Sequence, residues 1–186
     1  LGIAIGIGLS AACGFRVFVP LLVMNLMAMS GHLQLSPGFA WMESPYATAA
    51  FATATILEVL GYYLPWVDHL LDIVATPAAV IAGTVATATM ADLSPFLKWT
   101  LALIAGGGIA GLIQGATSLF RVKSSLSTAG AANPVFSTLE MVGSLITALL
   151  AILAPVFTLI LVGILCVFII VKAGRFILRR RKIPPA

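Results

Sequence analysis

The residues with the clearest capacity for chemistry lie in one short stretch, from Glu58 to Pro77. It contains three of the six acidic residues and one of the two histidines of the chain: Glu58, Asp68, Asp72 and His69. Ionisable groups close to lipid hydrocarbon are costly, so they persist where they pair, line a wet cavity or carry function. In a chain that is otherwise overwhelmingly apolar, this stretch is the first candidate for a site.

Asp68 and Asp72 stand four residues apart, a spacing that places both carboxylates on one helical face beside His69. Carboxylates and an imidazole are suitable ligands for Mg²⁺, Mn²⁺ or Zn²⁺. The alternative is a solvated cytoplasmic turn in which an aspartate pairs with a basic residue such as Lys123. No nucleophile elbow, phosphate-binding loop, His-Glu-x-x-His motif or paired-cysteine zinc motif is present. Beyond such a metal we expect no cofactor, and the sequence favours a protein without enzymatic activity.

Four charged positions, Glu58 among them, fall inside or at the ends of apolar runs: Arg16, Glu58, Arg121 and Glu140. A carboxylate near hydrocarbon either pairs with a cation or stays protonated, and the two arginines are the expected partners. These residues would form a pathway for protons, cations or an anionic group, or would only fix helix packing. Asn133 joins the candidate pathway, because it can cap a helix whose N-terminus favours an anion.

Composition indicates a membrane protein. The chain has 186 residues, of which 61% are hydrophobic and 9% charged, and its mean hydropathy is +1.14. A soluble domain of this length could not bury so much apolar surface. The net charge of +4 does not predict nucleic-acid binding, because six of the ten basic residues lie between 172 and 182. We expect the lipid bilayer as the main partner, with anionic lipid at this basic tail (172–186).

The apolar runs predict an all-α, polytopic bundle forming a single membrane domain of about six spans, at about 20 residues a span. The first run, residues 1–30, is interrupted by Gly14, Arg16 and Pro20, so we expect a discontinuous first helix; one kinked, tilted helix is the alternative. The remaining spans are predicted at 46–64, 73–91, 96–120, 134–153 and 155–171. The Lys/Arg distribution then places both termini in the cytoplasm, and we expect a multi-pass protein of the inner (plasma) membrane.

The two halves of the chain resemble each other. Residues 15–17 (Phe-Arg-Val) recur at 120–122, and the Leu-Glu-x-x-Gly of 57–61 recurs at 139–143. Repeat one would cover about 1–91 and repeat two about 96–178, with three spans each. An odd number of spans inverts the second repeat, which is the architecture of many transporters, with the site between the halves near the midplane.

Gly107, Gly111 and Gly115 recur every four residues and therefore share one helix face. Such a face lets another backbone approach closely. We expect it to meet a second helix, either within the chain or across a homodimer.

Three motifs carry a family resemblance: residues 14–20 (Gly-Phe-Arg-Val-Phe-Val-Pro), 65–72 (Pro-Trp-Val-Asp-His-Leu-Leu-Asp) and 132–134 (Ala-Asn-Pro). With them the chain resembles a bacterial membrane family, domain of unknown function 4126, from about Gly8 to Pro155, with the tail after Lys172 outside the shared pattern. The resemblance implies a small integral membrane protein with no assigned activity. It singles out Arg16, Asp68, Asp72, Asn133 and Pro134.

The sequence thus favours a small transporter or channel with a charged site between inverted repeats. A scaffolding membrane protein, whose Arg–Glu pairs only fix packing, is the alternative from a different class. A metal-dependent enzyme acting on a lipid head group is the third hypothesis.

Overall fold

The protein is described by a computed structural model covering residues 1–63, 65–128 and 133–180, with the side chains of 65–70, 72, 125–128, 133 and 176–180 left out. This part of the chain is helical and without strands, which confirms the all-α prediction. A 3-10 turn occupies Ala40–Glu43, and a π-helical segment, Ala102–Gly107, joins α5 to α6. The α-helices are α1 Gly2–Cys13, α2 Phe18–Met29, α3 Pro45–Gly61, α4 Pro65–Met90, α5 Pro95–Leu101, α6 Gly108–Thr128, α7 Asn133–Leu153 and α8 Pro155–Arg180.

Within the described residues, four helical stretches are long and apolar enough to cross a membrane: Ile73–Met90, Pro95–Ser124, Pro134–Leu153 and Pro155–Arg175. They correspond to the last four predicted spans. Helices α1 and α2 have 12 residues each, about 18 Å at 1.5 Å per residue, against a hydrocarbon core of about 30 Å. The structure therefore establishes a membrane-type helical bundle, and the count of six spans stays a prediction.

The first apolar run is broken, as the sequence predicts. Helix α1 ends at Cys13 and α2 begins at Phe18, with Gly14–Val17 between them. Gly2, at the start of α1, packs on the backbone carbonyl of Met90, and the segment after α2 returns to the same place. There the Ser36 N–H donates to the Thr89 carbonyl at 2.7 Å. Helices α1 and α2 thus form a half-length hairpin that enters and leaves at one end of the bundle.

The hairpin determines where residues 2 and 180 lie relative to each other. Thr158, near the start of α8, packs beside Gly8, and Val162 clusters with Ala11, so α8 runs parallel to α1 and continues well past the hairpin. Residue 2 and residue 180 therefore lie at opposite ends of the bundle. The cytoplasmic placement of both termini, which rests on the Lys/Arg distribution, stays a prediction.

Small residues let α1 sit at the centre of the bundle, antiparallel to α4 and α7. Ser10 Oγ lies 2.6 Å from the Gly83 carbonyl oxygen, to which it donates, and 2.7 Å from Thr87 Oγ1. On the α7 side, Ser144 Oγ donates to the Ala12 carbonyl at 3.0 Å. Close backbone approach and interhelical hydrogen bonds are the means by which helices associate where lipid removes the hydrophobic drive.

The predicted glycine face is only partly occupied. Gly107 and Gly111 lie against α4, where a Cβ would come within 2.6 Å of Thr84 Oγ1 and 2.8 Å of Val80 Cγ2, respectively. A Cβ at Gly115 would meet no atom of the described chain within 4 Å. The backbone of α4 is nearer to Gly106, where a Cβ would lie 2.5 Å from the Gly83 carbonyl oxygen. These contacts are made within one chain, and the homodimer stays a prediction.

The repeated sequence motifs adopt different local structures. Arg16 lies in the break between α1 and α2, whereas Arg121 lies inside the continuous helix α6. Pro77 and Pro155, which the same alignment of the two halves would pair, also differ, since Pro77 lies inside α4 and Pro155 begins α8. The inverted-repeat layout therefore remains a prediction from sequence.

The contact between α4 and the π-helical segment leads to a stability prediction. We expect Gly106→Ala to destabilise the protein by roughly 1–3 kcal/mol, because its methyl group would overlap the Gly83 carbonyl and the Thr87 side chain. Gly108→Ala is the matched control, since the space there is open and alanine is the better helix former. Thermal unfolding in detergent would measure both, and equal melting temperatures for the two variants would contradict this packing.

Candidate charged site at the hairpin tip

Glu58 holds the tip of the α1–α2 hairpin. Its carboxylate accepts hydrogen bonds from the backbone N–H groups of Val17, at 2.9 Å, and Phe18, at 3.1 Å. The first N–H groups of a helix have no partner inside the helix, and a negative charge also interacts favourably with the helix dipole there. Glu58, on α3, therefore caps α2 from a neighbouring helix. The sequence suggested an arginine as its direct partner, and the contacts above are with the backbone instead.

Glu140 is the carboxylate that meets the arginines. Arg121 Nε donates to one carboxylate oxygen at 3.1 Å, and Arg121 Nη2 donates to the other. Arg16 Nη2 lies 3.5 Å from that second oxygen. The predicted pairing is thus correct for Arg121 with Glu140, and Arg16 joins the same acid across the two halves of the chain.

Two residues that the sequence did not single out complete the cluster. Arg16 Nη2 donates to the carbonyl oxygen of Ser137, at 3.0 Å, and to its hydroxyl, at 2.6 Å. The guanidinium carbons of Arg16 and Arg121 each lie 4.0 Å from the centroid of the Tyr62 ring, which is cation–π distance. Tyr62 follows Glu58 by one helical turn, and this spacing could have indicated from the sequence that Tyr62 lies beside the charged residues. No comparable spacing points to Ser137.

The cluster is buried. The exposed fractions are 1% for Arg16, 3% for Arg121, 7% for Glu140 and 8% for Glu58. Burying charges is expensive unless they are paired and hydrogen-bonded, and the contacts above provide that pairing. Four ionisable residues from α3, α6, α7 and the hairpin break therefore meet in one place.

The cluster lies nearer one end of the bundle than the midplane. Glu140 is six residues after Pro134, about 9 Å along α7, and Arg121 is three residues before the end of the apolar stretch at Ser124. The basic residues Lys172 and Arg175 are at this same end. The charged cluster therefore lies closer to the end of the bundle that carries Lys172 and Arg175 than to the midplane, where the sequence predicts the site.

The other predicted site residues lie outside the described side chains. Asp68, His69 and Asp72 belong to the first turns of α4, and Asn133 is the first residue of α7, but only their backbone is described. Among the described residues, no group of three His, Cys, Asp or Glu side chains could hold a metal ion. The divalent metal therefore stays a prediction from the sequence.

An open cleft reaches the cluster from the outer face of the bundle. It has a volume of about 200 Å³. Most of its lining is apolar, and Glu140 connects it to the charged cluster. The lining residues are Phe15, Thr117, Phe120, Phe136, Leu139 and Glu140.

The ion pair between Arg121 and Glu140 leads to a second prediction. We expect Glu140→Gln to destabilise the protein by roughly 3–5 kcal/mol, because it leaves buried guanidinium groups without their carboxylate. Adding Arg121→Gln should recover much of that loss. The exposed Glu43 provides the control variant Glu43→Gln, with no expected change. Chemical unfolding in detergent measures all four proteins, and a single Glu140→Gln variant as stable as the wild type would contradict the pairing.

Comparison with known proteins places the chain in a family. Neither the curated proteins nor the solved structures that were searched contain a match. One family model matches residues 3–175, which covers nearly the whole chain and extends further at both ends than the motifs indicated. The chain therefore belongs to the family described as Domain of unknown function (DUF4126).

Proposed function

We propose that this protein is a small membrane transporter or channel for an ion or anionic solute, with its site at the tip of the α1–α2 hairpin. The observation that carries the proposal is the helix break at 14–17, which lies inside the bundle among buried arginines and glutamates. Arg16, Glu58, Arg121 and Glu140 are the residues of this site.

The break supports transport because irregular backbone is costly at membrane depth. Non-helical backbone is tolerated there only where it is buried in protein or lines a cavity, and broken helices form the sites of many transporters. Here the N–H groups of Val17 and Phe18 are satisfied by a side chain, Glu58, rather than by a preceding turn. A cap supplied by a second helix can be released when that helix moves, which a continuous helix does not permit.

The two arginines support an anionic or proton-coupled substrate. Both guanidinium groups are directed at one carboxylate, that of Glu140. A small anion that displaced the Glu140 carboxylate would contact both guanidinium groups, and the displaced carboxyl group would then take up a proton. Release of the anion and loss of the proton would restore the ion pairs. In this scheme the buried, paired arrangement is the closed state of the cycle.

The same burial supports a second candidate, the scaffolding protein. Arg16 and Arg121 have buried partners on α7 and at the end of α3, and such a cluster could serve only to fix the positions of α3, α6 and α7. The two functions differ in whether the charges titrate and exchange partners. Flux measurements separate them.

We also propose an orientation. The basic residues at the ends of α6 and α8 face the cytoplasm by the positive-inside rule, and the hairpin enters from the opposite side of the inner membrane. The start of α1 then lies on the periplasmic side, an alternative to the cytoplasmic location expected from sequence.

The transport proposal predicts flux from purified protein in liposomes. A panel of small anions and a pH gradient should produce substrate-dependent proton movement, measured with an internal pH dye. Arg16→Gln and Glu140→Gln should each reduce that flux by at least about tenfold, since loss of one buried charged contact costs more than 1.4 kcal/mol. Glu43→Gln should retain wild-type flux. No flux from the wild type across the panel would identify a scaffold, since stability rescue in the Arg121/Glu140 double variant is expected for either function.

The orientation is tested with single cysteines in a background where Cys13 and Cys166 are replaced by alanine. His32 and Arg175 are both exposed and lie at opposite ends of the bundle. A membrane-impermeant maleimide should label His32→Cys in intact cells whose outer membrane has been opened. It should label Arg175→Cys only after the inner membrane is permeabilised, and the reverse pattern would contradict the proposed orientation.

A further inference from the structure

The cleft beside the charged cluster opens on the outer face of the bundle. Its walls come from the hairpin tip, α6 and α7. Phe120 and Leu139 line it and are 53% and 61% exposed, respectively. Both belong to apolar stretches long enough to cross a membrane, so this opening faces lipid.

We propose that this cleft binds one acyl chain of an anionic phospholipid, whose phosphate is held by Lys172 and Arg175. The inference goes beyond the proposed transport function and does not depend on it. A lipid bound here would contact the wall of the charged cluster without replacing any of its ion pairs.

The shape and chemistry of the cleft fit a hydrocarbon chain. Three phenylalanine rings and a leucine supply most of its lining, from residues 15, 120, 136 and 139. The carboxylate of Glu140, its acidic member, is already bound by Arg121 and lies 3.5 Å from Arg16. The cleft therefore presents a mostly apolar surface to an acyl chain, and the charge of Glu140 is balanced by the arginines.

Packing of the acyl chain alone would not distinguish one lipid from another, because an acyl chain that leaves the bilayer for this cleft exchanges one apolar environment for another. Selection must come from the head group. Lys172 Nζ lies 6.0 Å from the ring centroid of Phe120, which forms one wall of the cleft, and 5.1 Å from that of Phe168. Its ammonium group is thus placed at the cleft wall, at the basic end of the bundle.

Arg175 follows Lys172 by three residues on α8, so the two side chains share one helical face. Both are exposed. Juxtamembrane Lys and Arg side chains attract anionic head groups at the membrane surface. An apolar cleft with cations at its basic end matches a phospholipid with one chain inserted and its phosphate at the surface.

Native mass spectrometry of the full chain, purified in detergent and freed of lipid, tests the proposal. Dioleoyl phosphatidylglycerol should bind more tightly than dioleoyl phosphatidylcholine, which has the same chains. Lys172→Gln should weaken phosphatidylglycerol binding about fivefold, the effect of one surface charge. Lys98→Gln removes a charge at the opposite end of the bundle and should leave binding unchanged.

The chain-binding part is tested by filling the cleft. Leu139→Trp should weaken binding of both lipids, whereas Ile146→Trp, two turns further along the same face of α7 and also exposed, should not. If Leu139→Trp fails to fold, Thr117→Leu fills the cleft from α6 and should give the same loss. Equal binding of the two lipids, or undiminished binding after the cleft is filled, would overturn the proposal. Complete displacement of the lipid by glycerol 1-phosphate would overturn it too, because the chain would then contribute nothing.

Discussion

The hydrogen bonds from the Val17 and Phe18 backbone to Glu58 are the interaction on which the rest of the structure depends. A helix that ends inside an apolar bundle leaves N–H groups that water cannot reach, and each such group is costly without a partner. Glu58 supplies both bonds from α3 and so makes the break between α1 and α2 possible. Without this cap, the first apolar run would have to continue as a helix, and Arg16 would not lie at a helix break.

Close packing of small residues sets the position of the hairpin. Glycine and serine on α1 face threonine, glycine and alanine on α4 and α7, and the side-chain hydroxyls bond across the helices. Because these contacts fix α1 along two neighbours, the tip comes to the level of Glu140 and Ser137. Packing between uncharged residues thus determines which charges meet. Gly83 and Gly106 likewise face each other's backbone across α4 and the π-helical segment.

The electrostatics of the cluster follow from that placement. Glu58 is used by the backbone, so Glu140 is the carboxylate that both arginines approach, and the aromatic face of Tyr62 lies beside both guanidinium groups. An arrangement in which both arginines contact one acid responds to any change in the charge of that acid. This sensitivity suits a transport cycle, and it equally makes the cluster an efficient structural anchor. The adjoining apolar cleft gives the surrounding lipid direct access to the same wall of the protein.

The membrane-type, all-α architecture could be predicted from the sequence, because apolar runs of this length leave few other structures. So could the break near Arg16, where glycine and proline interrupt one run, and the role of the arginines as partners of buried glutamates. Three features follow only from the packing of the helices: the broken helix turns back as a hairpin, Glu58 caps it, and Arg16 reaches Glu140 and Ser137. Local pattern shows that a helix must end and that a buried charge needs a partner. Which partner it meets depends on how helices distant in the chain pack together, and that is set by contacts between small residues with no charge pattern of their own.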